Sequence, residues 1–424
     1  MLETTMHGDE NLPKDLPLEN VPYEEHRRSH SLAETTRKAS KSKNNFGSPI
    51  RLQSKILAVL ADPTHDEAVY VAESAGTVRR VVLEVGEIPH SAIFVPNTGS
   101  TSHLYRGPTA PLTSIALSPD NGTLFAGCWD KSIWSWDLRT RAPGRRYLGH
   151  TDFVKAVLYL RLNGIDVLVS GGADASVIIW RVETGEKLFT LKGHTMGVLD
   201  LAVDPQTYPP AASDQGAVVI LSAGSDRSIR RWAITADLSS ASEIDPSNLI
   251  LAHETSVYNL SFDNDTDLWT ASADGTAKCL SRERNWMADT ALEHGDYVRA
   301  VAIDEVGGWV ISAGRDEHVK VWDKGSGKLR FVLEGHFEEI TGLVVVGPPM
   351  GRERWVVSVG IDATIRRWRL ETQELGKAVK EAEDDRNGVE KDEGEKEVVS
   401  GKENPFGIDE DEQRELDELM NDSE

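Results

Sequence analysis

Val169-Ser170-Gly171-Gly172-Ala173-Asp174-Ala175-Ser176-Val177-Ile178-Ile179-Trp180 is the stretch whose reading decides the fold. A turn of small residues around Asp174 separates two β-branched runs, and Trp180 ends the second. Alone it predicts a tight β-hairpin, because Val and Ile suit a pleated strand while Gly, Ala, Asp and Ser permit the reversal. It does not stand alone. The hairpin Asp recurs at Asp130, Asp174, Asp226, Asp274, Asp316 and Asp362, spaced by 44, 52, 48, 42 and 46 residues. Six residues after each come Trp136, Trp180, Trp232, Leu280, Trp322 and Trp368, and four residues before each come Ala126, Ser170, Ser222, Thr270, Ser312 and Ser358. A His lies upstream of five of them: His150, His194, His253, His294 and His336. Before Asp130 the corresponding place holds Gly107-Pro108.

Four residue types repeating in register over six units resemble the WD-repeat (WD40) β-propeller family, and the resemblance covers about three quarters of the chain. Trp136-Asp137 and Trp322-Asp323 carry the Trp-Asp dipeptide itself, while Trp180-Arg181 and Trp368-Arg369 depart from it. A degenerate unit over 68–81 puts Ala75 in the Asp place and Val81 in the Trp place. The expected fold class is therefore all-β: a seven-bladed β-propeller of four-stranded antiparallel blades, with disordered N- and C-terminal tails. Residues 48–371 form the propeller, 1–47 one tail and 372–424 the other. The family closes its ring by lending the last blade a strand from the N-terminal side, and Pro49 to Gln53 fit that place. Insertions at 205–216, 235–248 and 347–353 are expected to be surface loops, the second lengthening the link between blades four and five.

Composition narrows the function classes. Formal net charge is −23, which argues against wrapping nucleic acid. Most of that charge lies in 372–424, a composition expected to stay solvated, with a short acidic helix over Asp409 to Met420. The first tail turns basic at Arg27, Arg28, Arg37, Lys38, Lys41 and Lys43, which suits a localisation or docking segment. Cys128 and Cys279 fall in separate strands and read as buried thiols of a reducing compartment. Met1 to Glu10 carries acids and no apolar segment, so no secretory signal is expected, and no apolar run is long enough to span a membrane. There is no glycine-rich phosphate loop, no metal-spaced Cys/His cluster and no HExxH, so no cofactor is expected.

Ser, His and Asp in one unit invite a catalytic reading. The set occurs in four blades, which a catalytic triad has no need of, and each member has a structural task. The Asp accepts turn N–H groups, the His donates to the Asp, and the hydroxyl and indole complete the chain. In the family this is a structural tetrad. The complete sets are His150/Ser170/Asp174/Trp180, His194/Ser222/Asp226/Trp232, His294/Ser312/Asp316/Trp322 and His336/Ser358/Asp362/Trp368. Blade two, with Pro108 and Ala126, and blade five, with Leu280, are expected to be softer, together with blade one.

Function is then expected on the face where hairpin turns and inner-strand starts meet, the commonest docking surface of the family. Two positions per blade point there. The residue before the hairpin Asp reads Ser74, Trp129, Ala173, Ser225, Ala273, Arg315 and Ile361; the residue before the innermost strand reads Pro111, Phe153, Gly197, Ser256, Tyr297 and Glu339 in blades two to seven. Lys155, Tyr258 and Arg299 follow two residues later. Trp, Tyr and Arg dominate interface energies, so Trp129, Phe153, Lys155, Tyr258, Tyr297, Arg299 and Arg315 form a candidate protein-binding face suited to acidic or phosphorylated peptides. Trp136, Asp137 and Arg139 also resemble the Trp-Asp-x-Arg box by which substrate receptors of cullin-4 ubiquitin ligases dock their adaptor. The expected function is a non-catalytic scaffold or adaptor, monomeric within a hetero-complex of the cytoplasm or nucleus. The alternatives are a ligase substrate receptor and a channel-based propeller enzyme.

Overall fold

The computed structural model describes residues 35–39, 41–83, 103–118, 122–209, 216–348 and 353–400, with side chains as far as 387. Contacts divide the chain into two units, 1–44 and 45–424. In the first, Asn44 N–H donates to Lys41 O at 3.2 Å and Ser42 Oγ to Ala39 O at 2.8 Å. The second holds seven four-stranded antiparallel sheets. Six run in simple chain order through 56–105, 112–148, 154–192, 198–243, 257–293 and 298–333. The seventh takes three strands from 340–369 and its fourth, Ile50–Arg51, from the far end of the sequence. Ile50 pairs with Ile365 and Arg51 with Thr364. Leu52 N–H donates to Ala363 O and Arg367 N–H to Gly47 O, both at 2.8 Å. The expected seven blades and their N-terminal closing strand are both present.

The core is a set of wedges. Each of the seven apolar clusters draws on two adjacent blades, so every junction carries its own core. Trp180, for example, is grouped with Phe125 and Ile133 of blade two, whereas Trp232 is grouped with Val167 and Val169 of blade three. A blade's two faces are thus both buried, which explains continuous buried runs such as Val69-Tyr70-Val71 and Val167-Leu168-Val169 rather than strict alternation. Cys128 and Cys279 are buried free thiols, and burial pushes both up to about 12.

Two expectations change. Residues 235–248 do not merely link blades four and five: Ala241–Glu243 is the outer strand of blade four, pairing Glu243 with Trp232. The chain also does not leave the propeller as a solvated tail at 372. Helix Thr372–Ser400 begins there, and its first turns are docked. Leu375 and Ala382 are buried, and Leu375, Ala378 and Val379 pack with Phe331, Trp309 and Leu370 of blades six and seven. These positions lie at i, i+3, i+4 and i+7, one helical stripe. Arg386 pairs with Glu334 at 3.2 Å. The proposed acidic helix at 409–420 lies outside the described residues, as do 1–34 and, within the insertions, 210–215 and 349–352.

Leu375→Ala should therefore cost about 2–5 kcal/mol, as for other buried Leu truncations. Urea unfolding of the full chain checks this, and an unchanged midpoint would mean the helix is not docked in solution.

Candidate functional site

The repeated polar residues meet as hydrogen-bonded chains inside the blades. In blade three, His150 Nδ1 is 3.0 Å from Asp174, His150 Nε2 is 2.8 Å from Ser170 Oγ, and Trp180 Nε1 donates to the same hydroxyl at 2.8 Å. His194/Asp226/Ser222/Trp232 repeats this at 3.0, 2.7 and 2.7 Å, and His294/Asp316/Ser312/Trp322 at 3.1, 2.6 and 2.7 Å. In blade seven His336 joins Asp362 at 2.8 Å and Ser358 at 2.7 Å, but among the described residues no bond joins Trp368 to Ser358. That ring instead packs on Gly47, where an added Cβ would lie 2.6 Å from it. Blade five keeps His253–Asp274 at 2.8 Å and His253–Thr270 at 2.7 Å without an indole.

A fifth member went unread in the sequence. The hydroxyls of Ser176, Ser228, Thr276 and Thr364, two residues after the Asp, donate to it at 2.6, 2.7, 2.6 and 2.8 Å. Their recurrence at Asp+2 was the available signal. Blade two, expected to be soft, holds its Asp by other means. Trp134 Nε1 donates to Asp130 at 2.8 Å, Arg146 pairs with it at 2.9 Å, and the guanidinium lies 4.3 Å over the Trp134 ring. Trp134 packs on Gly107, where blades three, four and seven place a Gly-His pair. Trp136 Nε1 turns to Arg106 O at 2.9 Å.

Burial alone would raise the turn carboxyls, but bonds from His, Ser or Thr and backbone N–H outweigh it and hold Asp174, Asp226, Asp274 and Asp362 below the usual range. Burial likewise lowers His150 and His336 against the raising effect of their Asp partners.

The docking face is built in three layers. In the outermost, the two positions identified per blade are bonded to each other: Trp129 N–H donates to Pro111 O, Ala173 to Phe153, Ser225 to Gly197, Ala273 to Ser256, Arg315 to Tyr297, Ile361 to Glu339 and Ser74 to Lys55. Trp129 and Phe153 stack across the junction of blades two and three, with centroids 5.0 Å apart and planes at 12°. They remain 37% and 36% exposed. Tyr297, 42% exposed, carries Arg315 at 5.3 Å from its ring, and Arg315 pairs with Asp296 at 3.6 Å.

The second layer comes from a shared irregularity. Every inner strand shifts register at its second residue, between 56/58, 112/114, 154/156, 198/200, 257/259, 298/300 and 340/342. A bulge re-aims one side chain, and the seven re-aimed residues are Leu57, Thr113, Lys155, Leu199, Tyr258, Arg299 and Thr341. All of them line one central cavity of about 420 Å³. Lys155 and Arg299 are its cations, and the ring has no acid. Lys155 Nζ lies 4.8 Å from the Trp129 ring, and the Arg299 guanidinium 4.1 Å from Tyr258. The two threonines tie neighbouring blades, Thr113 Oγ1 to Val154 O and Thr341 Oγ1 to Ile56 O, each at 2.8 Å. One residue deeper, Asp200 accepts from Asn259 Nδ2 and Leu260 N–H at 2.8 Å each, and burial pushes its carboxyl up to about 6. Asn259 Oδ1 accepts from Val301 N–H at 3.0 Å, so this belt joins blades four, five and six.

A profile of the WD domain, G-beta repeat, matches residues 99–137, 185–233, 246–280 and 289–323. An uncharacterised WD repeat-containing protein of Schizosaccharomyces pombe is 30% identical over 366 residues, 83% of this chain and 90% of that one. The chain belongs to the WD40-repeat family. The nuclear distribution protein nudF of Aspergillus niger is 26% identical over 220 residues, 47% of this chain and 46% of its own length. The ribosome biogenesis protein YTM1 of Candida albicans is 30% identical over 138 residues, 30% of this chain and 27% of its own. The propeller domain of Doa1 superposes with a TM-score of 0.60 at 18% identity, covering 78% of this chain and 97% of that one, which shows the WD40 fold.

The WD40 Trp-Asp-x-Arg box is split by its surroundings. Trp136 is buried, and Asp137 closes its own turn by accepting from Thr140 N–H at 2.6 Å and Thr140 Oγ1 at 2.8 Å. Arg139 is exposed, at the end of its strand opposite the Trp129 turn. No helix among the described residues is long and apolar enough to cross a membrane.

Replacing Asp226 with Ala should cost about 1–3 kcal/mol, since His194, Ser228 and Thr195 lose their acceptor. The pH dependence has one sign. Groups lowered by folding stabilise above their unfolded values and lose that contribution as pH falls. The His150 and His336 contribution should therefore decline below pH about 6.5 and the carboxyl contribution below about 4. Urea midpoints that rise from pH 7 to pH 4 would contradict these assignments.

Proposed function

We propose that the chain is a non-catalytic scaffold or adaptor subunit that receives partner proteins on the face carrying Trp129, Phe153, Tyr297 and Arg315. The observation that carries this reading is the Trp129–Phe153 stack. Three other blades meet the turn geometry at Trp129's position with Ala173, Ser225 and Ala273, so the fold makes no demand for an indole there. A stacked aromatic pair left about one-third exposed offers apolar area to a partner and matches the residue types that anchor interfaces. Its support is rigid: both residues sit where strands start or turn, bonded through Trp129 N–H to Pro111 O and Ala173 N–H to Phe153 O. Preorganised anchors lose little entropy on binding. Relatives named for nuclear distribution and ribosome biogenesis are consistent with work inside assemblies of the cytoplasm or nucleus.

Affinity purification with mass spectrometry tests the reading by comparing wild type, Trp129→Ala/Tyr297→Ala and a chain ending at Ser400. The double variant should keep its melting temperature and lose at least one stoichiometric partner. An unchanged partner set in the double variant would remove this face from consideration.

A further inference from the structure

The bulge ring beneath the exposed stack is chemically lopsided. It presents two cations, two leucines, a tyrosine and two threonines whose hydroxyls are spent between blades. Arg299 is half-neutralised, because its Nε lies 2.9 Å from Glu339. Lys155 is not. Among the described residues its ammonium makes no ion pair and donates to no acceptor; its neighbours are the faces of Trp129 at 4.8 Å and Phe153 at 5.7 Å. The carboxylate of Asp152 in the next layer out is used by Phe153 N–H at 2.8 Å. Deeper in, Asp200 is committed to Asn259 and Leu260. Burial, then the field of Arg299, lowers Lys155, with only Asp152 raising it. A partly buried cation that lacks an acceptor, inside a cavity of about 420 Å³, is a site for an anion.

We propose that the channel mouth is a carboxylate slot, in which an Asp or Glu side chain of a partner peptide seats between Lys155 and Arg299 while flanking apolar residues cover Trp129 and Phe153. This rests on the reading that the same face docks partners. The local sum favours no more than a single negative charge: Lys155 contributes one positive charge, Arg299 is offset by Glu339, and Asp200, which also lines the cavity, is held by Asn259 and Leu260 N–H. A phosphoryl group carries about −1.5 to −2 and calls for a cluster of free arginines, which this ring does not offer. Trp129 and Tyr258 flank the slot, and their planar rings would exclude water from the pair, strengthening the charge-assisted bonds.

A random-peptide display library panned on the full chain supplies the probe. Enriched peptides, synthesised and titrated by fluorescence anisotropy, should share an Asp or Glu beside an apolar residue. Glu→Gln in the peptide and Lys155→Met in the protein should each cost about tenfold in affinity, and the two losses should not add, since they break one contact. Met keeps the apolar stem of Lys155, so an unchanged melting temperature shows that the fold survives. Binders that ignore Lys155→Met but are lost in Trp129→Ala would overturn the slot and leave the face standing. Binders indifferent to both variants would overturn both. Tighter binding of a phosphoserine than of a Glu version would overturn the carboxylate assignment. A chain ending at Ser400 that binds the same peptide about tenfold more tightly would make the protein's own acidic end the occupant and overturn recognition in trans.

Discussion

A strand of two residues holds the ring shut. Ile50–Arg51 supplies the fourth strand of the last blade, and its neighbours Gly47 and Leu52 add main-chain bonds on either side. Without this pairing, the blade at 340–369 would present an open edge and the wedge core between blades seven and one would lose Ile50. The anchor is reinforced from within. Arg366 is fully buried, and its guanidinium reaches Phe46 O in the segment leading to the closing strand. Because every apolar cluster bridges two blades, no blade is stable alone, and closure at one seam constrains the geometry of all seven.

That constraint produces a platform. The inner strands all bulge at the same step, so seven side chains are aimed at one axis at fixed spacing. Binding groups carried on strand ends of a closed ring are held more precisely than groups on loops. The chemistry of the platform is then set by whichever residues occupy the bulge and turn positions. Here they are an aromatic stack, two cation–aromatic pairs and a lysine with no acceptor among the described residues.

The fold was legible because its repeat is carried by residues with polar duties that recur in register. Asp, His, Ser and Trp had to reappear wherever a buried turn needed the same bonds. The seam was legible through the family resemblance, which implies a closing strand from the N-terminal side at the place of Pro49 to Gln53. Other features were hidden by chemistry that mimics something else. The helix at 372–400 reads as a solvated tail because its stripe of Leu375, Ala378, Val379 and Ala382 is short, small and surrounded by acids. Blade two reads as defective because its substitute is a different solution: an indole and a guanidinium hold Asp130 where a histidine would. Lys155, Tyr258 and Arg299 were identified by position, but the bulge that turns them inward is a backbone irregularity with no residue signature. Their convergence on one cavity with Trp129 therefore emerged only in three dimensions.

Repeated residues build the ring, and non-repeated residues form the face on which partners are proposed to dock. The most direct measurement is a cryo-electron microscopy map of the assembly purified through this chain. The account predicts partner density over the channel mouth, in contact with Trp129, Phe153 and Tyr297. Partner density confined to the outer strands or the opposite face, with the mouth open to solvent, would contradict it.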